Sequence, residues 1–133
     1  MDTVIEKGAK LEEGFGEKVQ QAAVRYLQAR GYEIVARNWW SKMGVVPVIA
    51  RDSDGTLVFV DIIGRGADDP NPPDEDNSAC NRNAWERKAI AYMLESDEWN
   101  DQDAVRFDVI VITVCAPHRA LLRHHRGRFN YDL

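Results

Sequence analysis

With 133 residues, 44% of them hydrophobic, the chain holds enough apolar material for one packed core, and its length is that of a single domain, expected over 1–133. A net charge of −5 argues against a protein that coats nucleic acid by bulk electrostatics, because phosphate binding depends on clustered Lys and Arg. No apolar stretch approaches a bilayer span and nothing reads as a secretion signal, so a cytoplasmic protein with no membrane partner is expected.

The first element is a helix over 14–31. Val19, Ala22, Ala23, Tyr26 and Leu27 recur at the spacing that puts apolar residues on one helical stripe, and Gly31 stops it. Three strand-like runs follow within 32–63, at Tyr32 to Trp40, Val45 to Ala50 and Thr56 to Ile63, with Asp54-Gly55 marking a tight turn between the last two. The segment 64–77 carries Pro70, Pro72, Pro73 and five acids without period, and reads as a loop. A second helix over 78–96 puts Trp85, Ala89, Tyr92 and Met93 on one face. Positions 105–115 are nearly all apolar from Phe107 on, as in a strand covered on both faces, and Cys115 at its end is expected in the core. The remaining 116–133 reads as a basic tail. Helix, three-stranded meander, helix and a strand returned parallel by the crossover make an α/β sandwich with a mixed sheet flanked by helices.

Cys80 and Cys115 lack metal-ligand spacing, so free thiols are expected. Acid concentrates around 68–76 and 95–103, whereas the tail holds Arg119, Arg123, Arg126 and Arg128 among three histidines. Either a local basic face or an ordinary solvated tail accounts for that asymmetry.

The most informative string is Leu57-Val58-Phe59-Val60-Asp61-Ile62-Ile63-Gly64-Arg65, because a strand sends i and i+2 to one face and makes neighbours of Asp61 and Ile63. Metal-dependent phosphodiester hydrolysis uses carboxylates to hold Mg²⁺ and a nearby cation to activate water and neutralise developing charge. An acid and a lysine at i, i+2 on a strand would supply both.

Several fragments, in order and spacing, resemble the YraN-like family of bacterial proteins. They are Gly16-Glu17, Tyr26-Leu27, Gly31-Tyr32, Arg37-Asn38-Trp39, Gly44, Ile49-Ala50, Asp54, Val58-Phe59-Val60, Arg65 and Arg106-Phe107-Asp108-Val109, over most of the chain. The resemblance implies a restriction-endonuclease-like αβββαβ core, the fold shared with Holliday-junction resolvases. It also implies nucleic acid, DNA or RNA, as partner.

The departures fall on the residues that would do the chemistry. Where the family reads Gly-Glu-Ile-Asp before Leu-Ile-Ala, this chain has Gly44-Val45-Val46-Pro47-Val48-Ile49-Ala50; where it reads Val-Phe-Val-Glu-Val-Lys, this chain has Val58-Phe59-Val60-Asp61-Ile62-Ile63. Val45, Pro47 and Ile63 thus occupy the family's acid, acid and lysine positions. Glu17 and Asp61 remain as a residual catalytic and metal-binding pair, able to hold Mg²⁺ or Mn²⁺ weakly or not at all. A pocket shared by all five, turned apolar, is the expectation. Losing the acids favours losing the base, because a buried lysine without a carboxylate is costly to desolvate.

Each of these residues also has a plainer role. Glu17 suits the N-terminal part of a helix. Asp61 on an apolar strand needs a partner, for which Arg65 or Lys42 would serve. Pro47 requires either a bulge or a shifted register, and the latter would bring Asp52 or Asp54 toward the site with Lys42 replacing the base. Of the adjacent Trp39 and Trp40, one belongs to the core and the other to the surface.

The residues expected to touch nucleic acid are Arg37, Trp40, Arg65, Arg123 and Arg126. The sequence therefore points to a catalytically degenerate relative of a metal-dependent endonuclease, without a resident cofactor. A protein-contact or homodimer module using the apolar former site, and an active endonuclease with a rearranged metal site, are the alternatives.

Overall fold

The computed structural model describes residues 8–68, 78–97 and 104–129. Its elements are α1 (Gly8–Ala29), β1 (Glu33–Ser41), β2 (Gly44–Arg51), β3 (Leu57–Gly66), α2 (Ser78–Glu95), β4 (Val105–Ala116) and β5 (Arg119–His125). They form one five-stranded sheet in the order β1-β2-β3-β4-β5, in which β3 and β4 run parallel and the other neighbours antiparallel. The first six elements are the expected αβββαβ core with its mixed sheet.

The two helices cover opposite faces. Val19, Ala23, Val24 and Leu27 of α1 pack on Val48, Ala50, Val58, Val60, Ile110 and Ile112. Trp85, Ala89 and Tyr92 of α2 pack on Val46, Ile49, Leu57, Phe59 and Phe107. Along β3 the two sets alternate residue by residue, as a pleated strand buried on both sides requires. Gly31, with φ of 90°, ends α1: its N–H bonds the Gln28 carbonyl and the Tyr32 N–H bonds that of Leu27. That double bond closes a helix through a left-handed residue.

Three expectations change. The basic tail contains β5, paired with β4 from Val109↔His125 to Ala116↔Arg119. Its period-2 signal was weak because the residues on its α1 side are Ala120, Leu122 and His124, and only one of these is strongly apolar. β3 runs on to Gly66, so the loop expected from 64 starts later; residues 69–77 and 98–103 lie outside the described ones, as does the Cys80 side chain. Cys115 is exposed rather than core, close to the register shift where β4 turns into β5.

Pro47 breaks the alternation of β2. Val46 joins the α2-side cluster and Val48 the α1-side cluster, although they are two apart. Opposite stands Asn38 at φ 52°, and neither residue enters the β1–β2 register. A proline cannot donate to a ladder, so the flip falls at the position where the ladder is already interrupted.

Candidate functional site

Asp61 and Ile63 share a face of β3 with Leu57 and Phe59, which is the α2 side. There the Asp61 carboxylate is held by an arginine that the sequence did not suggest: Arg128 Nη1 donates to Asp61 Oδ2 at 2.9 Å. The Arg128 side chain is only 5% exposed, against 25% for Asp61. Of the two structural partners expected for Asp61, Arg65 donates its Nε to Thr113 Oγ1 and Lys42 is exposed. Arg128 reaches β3 because the segment after β5 folds back, with the Gly127 N–H on the Asp108 carboxylate and Phe129 packed on Phe107.

A second cation approaches from α2. The Lys88 ammonium lies 4.2 Å from the centre of the Trp85 ring, and burial lowers its pKa while the Asp61 charge acts in the opposite direction. Lys88 thus brings a cation toward Asp61 from another element. Gly44 faces this lysine: its φ of 121° favours glycine, and a Cβ there would stand 2.9 Å from Lys88 Cε, at the movable end of that side chain.

Glu17 and Pro47 belong to the other side of the sheet. Pro47, Gly16, Val19, Gln20, Asn38, Ile62 and Gly64 line an open cleft of about 450 Å³ beside α1. Gln20 ties its wall together: Nε2 donates to Asn38 Oδ1 at 2.7 Å and to the Pro47 carbonyl at 3.2 Å, while Oε1 accepts from Arg37 Nη2 at 2.8 Å. Glu17 is exposed next to Gly16, and Val45 is exposed at the β1–β2 hairpin. The five positions expected in one pocket are therefore split. Pro47 lines an apolar-floored cleft near Glu17, whereas Asp61 and Ile63 face the opposite helix. The flip at Pro47 is the physical cause. Among the described residues, no three His, Cys, Asp or Glu side chains gather as ligands for a metal.

The nucleic-acid candidates are likewise dispersed. Arg37 and Trp40 sit on β1 and Arg123 on β5, the two outer strands of the sheet; Arg126 follows β5, and Arg65 lies on the central β3. Trp40 is 70% exposed, and Trp39 packs edge-on against Tyr92, which resolves which of the pair belongs to the core. Arg126 donates to Asp52 Oδ2 at 3.3 Å.

The most developed polar constellation among the described residues centres on Asp108. Arg106 grips Asp108 with two bonds, of 2.9 and 3.0 Å, and also donates to Asp52 Oδ2 and the Tyr32 hydroxyl. His124 Nε2 donates to Asp108 Oδ2 at 2.7 Å, and Nδ1 lies 3.1 Å from the Tyr26 hydroxyl of α1. Burial alone would raise the Asp108 carboxyl, but the bonds from His124, Arg106 and the Gly127 N–H outweigh it and hold the pKa below the ordinary carboxylate value. Burial lowers Arg106 in turn, and its bonds to Asp108 and Asp52 more than restore it, so its charge is fixed. Asp52 and Asp54 are occupied locally: Asp52 accepts from Ser53 N–H and Arg106, and Asp54 from the Thr56 N–H. Neither has moved into the Pro47 cleft.

No described helix is long and apolar enough to cross a membrane. A family model described as "Uncharacterised protein family UPF0102" matches residues 19–112. A UPF0102 protein of Nocardia farcinica is 31% identical over 119 residues, covering 89% of this chain and 91% of the relative. One from Parafrankia is 34% identical over 116 residues, covering 86% and 92%. A shorter match, 48% identical over 52 residues, joins 39% of this chain to 40% of a UPF0102 protein of Ralstonia nicotianae. The matched span runs from the middle of α1 into β4 and takes in β1, β2, β3 and α2, with the strand positions of Pro47, Asp61 and Asp108, but not β5. The chain belongs to the UPF0102 family.

Proposed function

We propose that this chain is a catalytically degenerate relative of a metal-dependent endonuclease, acting in the cytoplasm as a nucleic-acid-binding domain rather than a nuclease. One observation carries the reading: the carboxylate that would anchor a metal on β3 is committed to Arg128, a nearly buried cation on the same face. A divalent ion would have to share with that guanidinium a carboxylate whose Oδ2 is already taken, and the ligands that the resemblance supplies elsewhere are here Val45 and Pro47. Mg²⁺ or Mn²⁺ binds at most weakly on this reading.

Calorimetric titration with Mn²⁺ tests the metal half. The chain is expected to show no saturable site at micromolar metal. Tight binding abolished by Asp61→Asn would favour the active nuclease with a rearranged site, in which Lys88 takes the base position. Single-stranded and branched DNA or RNA at low and high salt test the other half, with affinity expected to fall steeply as salt rises.

A second reading has its own observation. Trp40, Met43 and Val45 are exposed together at the β1–β2 hairpin, an apolar tip suited to a protein partner or a second copy. No nucleic-acid binding at low salt, with a concentration-dependent dimer lost in Trp40→Ser, would select it.

A further inference from the structure

A second apolar hollow lies away from all of these residues, between α1 and the β4–β5 hairpin. Val19, Ala22, Ile112, Val114 and Ala120 form its aliphatic floor, and its volume is about 410 Å³. That size and lining fall in the range of small-molecule sites. Lys18, Arg25, His118 and Arg119 stand around it, with Gln21 as the one neutral polar side chain and no acid in the lining. None of these four basic side chains is in an ion pair among the described residues. In a chain with five more acids than Lys and Arg combined, basic groups without counter-ions around an apolar floor are unusual.

We infer that the α1–β5 hollow binds a small amphipathic anion, a carboxylate on a saturated chain of the fatty-acid type. The floor is aliphatic throughout, and the one ring in the lining is the His118 imidazole at its edge, so an alkyl chain covers more of this surface than a stacked nucleobase would. An alkyl chain fits: burying methylenes on Ala22, Ile112 and Val114 is favoured by the loss of apolar surface to water. The carboxylate then takes its position from Arg25 and Arg119, whose planar guanidinium groups suit its two oxygens. The width of the hollow is set from within, because the Tyr26–His124 contact pins α1 to β5 farther along the same two elements. This site is independent of the nucleic-acid reading.

Sodium dodecanoate below its micellar concentration, titrated calorimetrically into the full chain, provides the test. One saturable site is expected, weakened at least roughly tenfold in Arg25→Glu and in Arg119→Glu. Ala22→Trp should abolish it. Ala22 is exposed on α1, so the indole fills the hollow without entering the core, and circular dichroism checks that the fold is kept. Leu94→Ser, exposed on α2 across the sheet, should bind as the parent does. The inference is overturned by absence of a saturable site, by dodecanol binding as tightly as dodecanoate, or by unchanged affinity in Ala22→Trp. It also fails if an oligonucleotide, and not dodecanoate, loses affinity on Arg25→Glu.

Discussion

Asp108 has no exposed side-chain surface, yet it carries a charge, accepting from Arg106, His124 and the Gly127 N–H. Removing one partner of such a buried pair leaves the other uncompensated, so Asp108→Asn should lower unfolding free energy by about 3 kcal/mol in urea titration. Its depressed pKa also fixes a pH dependence. The unfolded state binds the proton at higher pH, so this contribution is complete above the ordinary carboxylate value of 3.8 and is lost as pH falls below that toward the folded value. The parent should therefore lose stability more steeply than Asp108→Asn over that acid interval. Lys88 gives a second measurable consequence: Asp61 is the charge opposing its desolvation, so Asp61→Asn should lower the Lys88 pKa further, followed by NMR titration of its Cε. Neither arrangement was legible in the sequence. Arg128 and Asp61 are 67 positions apart, and His124 and Tyr26 are 98 apart; no local period links them.

Turns and strands differ in how much of them the sequence displays. The α1 stripe was readable because its period is strong, the long β4 because its run is apolar almost throughout, and Gly31 as a stop because a left-handed residue favours glycine. Gly44 shows the same preference under a tighter constraint. Gly44→Ala should cost about 2 kcal/mol, more than the roughly 1 kcal/mol of Gly31→Ala, since a φ of 121° lies farther from the left-handed well than one of 90°. Chemical denaturation of the two variants measures the difference. What the pattern concealed was the sense of β2. Counting by twos placed Pro47 with Asp61, but the Asn38–Pro47 interruption turns the strand over and sends them to opposite helices. The same arithmetic missed β5, whose two apolar residues on the α1 side are too few to announce a strand.

Because both clusters are built on one sheet, damage to either face should be felt by the whole domain. Leu27→Ala on the α1 side and Phe59→Ala on the α2 side are each expected to cost about 3–4 kcal/mol. Both should displace a single transition, coincident by far-UV circular dichroism and by tryptophan fluorescence, in which Trp39 and Trp85 report on the α2 side. Separate transitions would mean that the sheet does not couple its faces. One consequence concerns the order of synthesis. The partners of Asp61 and Asp108 include His124, Gly127 and Arg128, which leave the ribosome after β1 through β4 have been made. Until they emerge, two carboxylates on the central strands lack those partners, so the nascent sheet cannot lock before its clasp arrives.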